Sequence, residues 1–408
     1  MKRIFPAVVL FFAACTGSHT SITTGEWQGK LLREDGNHIV FNFEVQQIKD
    51  SIRWIIKNGE ERIEVTDIRT DGDSIWVQMP VFESSFKLKK EGNGSLKGIW
   101  TKAGSAGFLD MPFEAVANKT ERFTVNAATT KNITGTWSVR FFRADGSPRP
   151  AIATFVQNNA ELTGTFITPT GDYRYLKGVV DGDSLKLSTF DGSHAYLFKA
   201  FINKDSAISN GFYYSGATSI EPWEAIKNDT ASLPDVAAMY LKDGEEKLNF
   251  SFPDLDGKKV SINDDRFKNK VVIVQIMGSW CPNCMDETAF LSSFYKQYKD
   301  KGVEVVALAY EYYEDYNLAV NSVRKFQKRF DVQYPMLVTG VTVSDTLRTE
   351  KTLPQLTKIK SFPSTIFIGK DGKVAKIHAG FEGPGTGSRH DALRQEFIAT
   401  VEKLLGNG

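Results

Sequence analysis

Through the N-terminal half of the chain, apolar and polar positions alternate. Ile39, Phe41, Phe43 and Val45 are separated by other residues in a two-residue rhythm, and Ile75, Val77 and Met79 repeat it. Leu162, Gly164 and Phe166, then Leu185 and Leu187, keep it further on. A period of two marks a strand with one face in a core. Asp35-Gly36, Asp71-Gly72, Asp145-Gly146 and Asp191-Gly192 punctuate these runs, and such dipeptides suit tight hairpin turns. The half is therefore predicted to be antiparallel β, as barrels or sandwiches.

The C-terminal third has another pattern. Val271-Val272-Ile273-Val274-Gln275-Ile276 is almost continuously apolar, which predicts a strand covered on both faces in a parallel sheet. Residues 303–309 predict a second. Leu291, Phe294, Tyr295 and Tyr298 recur at helical spacing, as do Tyr316, Ala319, Val320, Val323 and Phe330. Residues 365–368 and 374–377, joined across Asp371-Gly372, predict a hairpin. Ser388 with Asp391 predicts a capping box for a last helix carrying Leu393, Phe397, Val401 and Leu404. A βαβ unit, a hairpin and a helix make this part α/β.

The β half also repeats itself. Thr24-Gly25-Glu26-Trp27 returns as Thr134-Gly135-Thr136-Trp137, and Asp71-Gly72-Asp73-Ser74 as Asp181-Gly182-Asp183-Ser184, both at an offset of 110. Gly98-Ile99-Trp100 is echoed by Gly211-Phe212-Tyr213. A period this long means tandem domains rather than solenoid units. The predicted organisation is multidomain: two tandem all-β modules at 22–118 and 133–228, then a domain at 247–408. Polar joints fall at 118–132 and 228–247. The Gly-x-Trp opening each copy resembles the start of lipocalin-type barrels, which favours barrels over sandwiches.

The composition is that of a globular chain: of 408 residues, 41% are hydrophobic and 24% charged. Fifty Lys+Arg against 49 Asp+Glu leave a net charge of +1, without the basic footprint of a nucleic-acid binder. The start differs from the rest. Met1-Lys2-Arg3 precedes an apolar stretch at 4–14, too short to span a bilayer but suited to a secretory signal. Ala13-Ala14-Cys15 then resembles a bacterial lipobox, although Phe12 stands where that pattern prefers Leu. The resemblance implies a signal at 1–15, a lipid on Cys15 and a lipoprotein of the cell envelope, in the periplasm, anchored to the membrane without crossing it. Under the alternative, cleavage is ordinary and Cys15 incidental.

Three cysteines occur, Cys15, Cys281 and Cys284. With Cys15 assigned to lipid, one pair remains in Cys-Pro-Asn-Cys. It closes too small a loop to staple a domain. A zinc site needs more ligands, and the five histidines are scattered, so no metal is expected. Redox chemistry is the better account. A cysteine at a helix start has its thiolate favoured by free backbone N–H groups. Cys281 is expected to be the more exposed and to attack, with Cys284 one turn in resolving the mixed disulfide. Pro282 fits the first helical position.

The buried strand, Trp280-Cys281-Pro282-Asn283-Cys284 opening a helix, Glu287 one turn later, and Phe362-Pro363-Ser364-Thr365 before the hairpin come in a familiar order. Over 248–405 the chain resembles TlpA-like disulfide oxidoreductases of the thioredoxin fold. The resemblance implies a redox disulfide between Cys281 and Cys284, a cis peptide before Pro363, and a substrate face of Trp280, Phe362 and Pro363. Trp280 shields the sulfurs or simply packs. Many thioredoxins carry a buried Asp six residues before the first cysteine, where this chain has Gln275, which cannot titrate. Glu287 is then either a proton relay for Cys284 or a solvated helix carboxylate. The implied protein is an exported, membrane-anchored reductase of protein disulfides, fed by a membrane thiol-reductant transporter and needing no cofactor.

Two alternatives remain. A thiol peroxidase of this fold carries a Pro-x-x-x-Thr-x-x pattern before its cysteine, which is absent here. In a ligand-binding or adaptor lipoprotein the β modules would do the work, and residues 191–194 beside Phe190, Tyr196 and Phe198 would line a mouth or merely form a turn. The run 310–316 is expected to pack against the redox face.

Overall fold

The structure, a computed structural model, describes residues 22–406 apart from 50, 93, 105, 106, 205, 236 and 237. The signal and Cys15 lie outside the described residues. Among the described residues, no helix is long and apolar enough to cross a membrane.

Two nine-stranded antiparallel sheets make up the N-terminal region. In each, most chain neighbours are sheet neighbours, as short hairpins dictate, and the first strand pairs with the last: Gly25–Leu31 with Gly107–Ala117, and Gly135–Phe142 with Ser219–Lys227. The second sheet closes on itself because Glu161–Thr168 pairs with both Pro148–Asn158 and Leu176–Asp181. The first stays open at one seam, between its edge strands Glu61–Val65 and Asp67–Asp71. Trp27 and Trp137, the repeated tryptophans, are fully buried, and each donates Nε1–H at 2.9 Å to the carbonyl four residues earlier, Thr23 and Ile133.

Inside the first sheet Trp27, Phe43, Trp54, Phe86 and Phe113 fill the interior. Phe190 of the second sheet joins them, stacked 4.4 Å from Phe41. Phe141, Phe166, Phe198 and Trp223 fill the second. Each such ring stabilises the fold by roughly 2–3 kcal/mol relative to exposure. Where a lipocalin-like barrel would hold a ligand, aromatic rings pack instead. The joint at 118–132 is anchored too: buried Arg122 donates to the Ser188 and Lys57 carbonyls and to Asn42 Oδ1, tying both sheets together. Burial lowers its pKa to about 9.

The C-terminal part holds a five-stranded sheet ordered Met336–Val338, Val303–Ala309, Val271–Met277, Ser364–Ile368, Val374–Ala379. The first three strands are parallel, Ser364–Ile368 runs antiparallel to them, and Val374–Ala379 pairs antiparallel with Ser364–Ile368 and so runs with the first three. Helices α1 (Pro282–Tyr298), α2 (Tyr316–Phe330), α3 (Arg348–Thr352) and α4 (Ser388–Leu405) surround it. The apolar run of the central strand has its predicted reason. Val271, Ile273 and Met277 join a core with α1, α2 and α4, whereas Val272, Val274 and Ile276 join another with Phe250, Leu353, Leu356 and Ile359. Val81 and Phe82 of the first β region pack into the α1-side core.

Three details depart from expectation. The Met336–Val338 strand and the five-residue α3 are too short to show a period. The capping box at Ser388 does not form: Ser388 is already helical, and Gly387 caps α4 at φ 61° with no side-chain bond. A positive φ at that position is open to Gly and strained for Ser.

Candidate active site

The Val271–Met277 strand delivers the chain through Gly278, Ser279 and Trp280 to α1. Cys281 is the N-cap of α1, with Pro282 inside the first turn. Its Sγ accepts the Cys284 N–H at 3.2 Å, a helix-start N–H that has no carbonyl partner within the helix. The same sulfur reaches the Phe362 carbonyl at 3.4 Å. Cys281 and Cys284 are unbridged. Cys281 is the more exposed of the two, as expected, but only at 4% against 0%, so neither is an open surface thiol. Burial, and then its neighbour Cys281, pushes the Cys284 thiol well up.

Phe362-Pro363 is a cis peptide, as the resemblance implied. Trp280 is half-buried, donating Nε1–H to the Tyr310 carbonyl at 2.8 Å and stacking on Tyr312 at 5.4 Å. Phe362 meets it edge-on at 5.5 Å. Tyr310 and Tyr312 thus do pack on the redox face.

Glu287 is buried at 1% exposure, which removes the reading of a solvated helix carboxylate. It faces inward because it lies six residues after Cys281 on the side of α1 that meets the sheet. Gln275 Nε2 donates to one oxygen at 2.8 Å and the Thr365 hydroxyl donates to the other. Burial pushes the carboxyl up to about 7, against the pull of those two bonds. The residue in the place of the usual Asp is therefore the one that holds the displaced acid. Sequence reasoning missed Thr365 as its partner, although it stands two residues after Pro363.

A second buried acid was also missed. Glu311 accepts the Ser279 backbone N–H at 2.8 Å and its hydroxyl at 2.6 Å, fixing the loop that leads to Cys281. Burial raises it to about 7, although the Ser279 bonds oppose this. The run 310–316 concealed it among tyrosines.

Residues 191–194 form no binding mouth. Asp191 is 1% exposed, its Oδ1 accepting the Ser193 and His194 N–H groups, and it lies 3.0 Å from the His194 ring and 3.6 Å from Arg174. Burial alone would raise Asp191; His194 and Arg174 more than offset it and hold it low. Arg174 also pairs with Glu61 of the first β region and with Asp286 on α1. Two grooves lie elsewhere, one of about 610 Å³ beside Trp76 and one of about 540 Å³ beside Val374–Ala379. Neither touches the cysteines. Among the described residues no cluster of His, Cys, Asp and Glu could hold a metal.

Two adjacent thiols at a helix start, beside a central sheet strand and backed by a buried acid, define a thioredoxin-fold dithiol protein. The redoxin family profile matches residues 242–394. Thiol-disulfide oxidoreductase ResA of Bacillus thuringiensis subsp. konkukian is 33% identical over 131 residues, 32% of this chain and 66% of that protein. A ResA of Bacillus cereus is 31% identical over 134 residues, 33% of this chain and 67% of that protein. ResA of Halalkalibacterium halodurans is 28% identical over 160 residues, 39% and 77% of the two chains. Among solved structures, a thiol-disulfide oxidoreductase from Bacteroides fragilis aligns over 99% of its length and 36% of this chain, at 20% identity and a TM-score of 0.28. The chain thus spans just under two thirds of the first relative. It belongs to the TlpA-like thiol–disulfide oxidoreductases of the thioredoxin fold.

Proposed function

We propose that the chain reduces protein disulfides outside the cytoplasm, with Cys281 attacking and Cys284 resolving. The observation that carries this is the pair of unbridged thiols at the start of α1, one turn from a buried carboxyl. The Cys281 thiolate displaces one sulfur of a client disulfide, which leaves as a thiolate and takes a proton, and a mixed disulfide forms. Cys284 then gives up its proton, attacks Cys281 Sγ and frees the second client thiol. Two electrons pass to the client and the chain keeps the Cys281–Cys284 disulfide. Glu287 is the acceptor for the Cys284 proton, directly or through water, and a carboxyl near neutrality suits that exchange. Trp280, Phe362 and Pro363 frame the approach of the client.

On this reading the spent disulfide is renewed by a membrane thiol-reductant transporter. Acylation of Cys15 holds the protein at a membrane of the cell envelope, and residues 22–118, 133–228 and 247–408 act as three domains. The test is the reduction potential of the pair, from the fraction oxidised in thiol buffers. A midpoint near about −270 mV supports the reductase, whereas one near about −120 mV reverses the electron flow.

A further inference from the structure

The two β copies act as an internal control on each other. In the first, Glu61–Val65 pairs along five residues with the preceding strand, from Asn58↔Glu61 to Trp54↔Val65. At the offset of 110 its counterpart begins at Gly171. There the ladder keeps two pairs, Thr168↔Gly171 and Ile167↔Asp172, and one further bond from Tyr173 N to Phe166 O at 2.8 Å. Then the chain peels away, and Leu176–Asp181 takes the vacated edge. The repeat thus breaks where the second β sheet meets the thioredoxin fold.

The residues around this shortened ladder, 168–174, lie on the segments that frame Cys281. Asp172 Oδ2 accepts from Asn283 Nδ2 at 3.2 Å and from the Gly383 N–H at 2.6 Å. Ser361 Oγ donates to the Thr170 carbonyl at 3.3 Å, two residues before Pro363. Arg174 donates to the Pro282 carbonyl at 3.3 Å and pairs with Asp286. Nearby, Ser193 Oγ reaches the Trp280 carbonyl at 3.4 Å. Trp280, Pro282 and Asn283, the residues of the motif other than the cysteines, are thus each hydrogen-bonded by the second β sheet or its loops.

We propose that the 168–174 loop occupies the client face of the thioredoxin fold, and that a protein disulfide reaches Cys281 by displacing it. The contact is built for separation. The bonds the loop makes to the thioredoxin fold are polar and charged, as in interfaces between mobile domains. Its central cation is ringed by Glu61, Asp191 and Asp286, a cluster whose Coulomb attraction largely offsets the cost of drying it, so hydration compensates opening. Beside the loop runs a cleft of about 370 Å³ lined by Thr168, Pro169, Gly171, His378, Phe381 and Glu382, through which an extended client segment enters. The partner is a protein able to compete for the Asn283 amide, the Gly383 N–H and the Ser361 hydroxyl, an extended chain rich in backbone or carboxylate acceptors. This rests on the oxidoreductase reading.

The test is alkylation of Cys281 in the reduced full chain, located by peptide mass spectrometry. Iodoacetamide is compared with a maleimide carrying a polyethylene glycol chain. Arg174→Gln breaks the clamp. Gly385→Ala opens the contact without touching a charge, because its added carbon would come within 2.9 Å of the Arg174 backbone. Both variants are expected to speed the bulky reagent by about tenfold or more, in proportion to the open fraction. Should Arg174→Gln fail to fold, Gly385→Ala decides alone. An unchanged rate in a variant with a native melting curve overturns the closure. Insulin reduction is followed in parallel. Faster alkylation with no reduction in any form keeps the closure and sinks the oxidoreductase reading, and reduction with unchanged alkylation does the reverse.

Discussion

Glu287→Gln exchanges a buried carboxyl for an amide of nearly the same shape. The amide oxygen still accepts from Gln275 Nε2, and the amide nitrogen donates to the Thr365 hydroxyl, so packing and hydrogen bonding survive. What is lost is the titration. The native carboxyl takes its proton at about 7, against 4.5 when free of the fold. Between those values the native state holds a proton that the unfolded chain has released, so raising the pH costs stability. The contribution is complete below about pH 4.5 and gone above about pH 7. At about 1.4 kcal/mol per pH unit, one such carboxyl accounts for up to roughly 3 kcal/mol. Urea unfolding at pH 5 and pH 8 measures it. The two proteins should be nearly equal at pH 5, and Glu287→Gln the more stable at pH 8, by up to that amount. The same variant should resolve mixed disulfides more slowly, because Cys284 has lost its proton acceptor. Equal pH slopes for the two proteins would refute the buried-acid argument, and equal resolution rates would refute the relay.

Cys284→Ser should leave Cys281 able to attack but unable to be released, so a mixed disulfide with a client accumulates and is seen as a stable adduct on non-reducing gels. Absence of any adduct would count against Cys281 as attacker. Trp27→Phe and Trp137→Phe each remove an equivalent bond and some volume, and each should cost about 1–3 kcal/mol in thermal or urea unfolding. A large cost at one site and none at the other would deny that the copies are structurally equivalent. Arg122→Ala strands the Ser188 and Lys57 carbonyls between the sheets, each orphan costing about 1–3 kcal/mol, and calorimetry should show a lower melting temperature for the β region. No shift would mean that the joint is not an anchor.

How much of this was legible beforehand follows from the range of each signal. Strand and helix periods are local, so the alternating half, the continuous Val271–Met277 run and the helical faces of α1 and α2 could be read residue by residue. The duplication was legible because it repeats at one offset. The cysteine pair announced its chemistry through its spacing and its place at a helix start, and Gln275 declared that the usual acid was missing.

Tertiary structure decided what those residues meet. Glu287 reads alike as a solvated or a buried acid on α1, and only the approach of Gln275 and Thr365 from two sheet strands dries it and raises its pKa. Residues 191–194 look like an exposed turn, yet Asp191 is buried beside Arg174 and His194. The Met336–Val338 strand is paired into place by Val303–Ala309, since three residues carry no period. The divergence of the second copy after Asp172 shows the same rule. Its sequence keeps the repeat's spacing, while the thioredoxin fold supplies the partners that draw Arg174 out of the sheet. Local pattern sets the elements; desolvation and pairing by distant segments set the charges at the site.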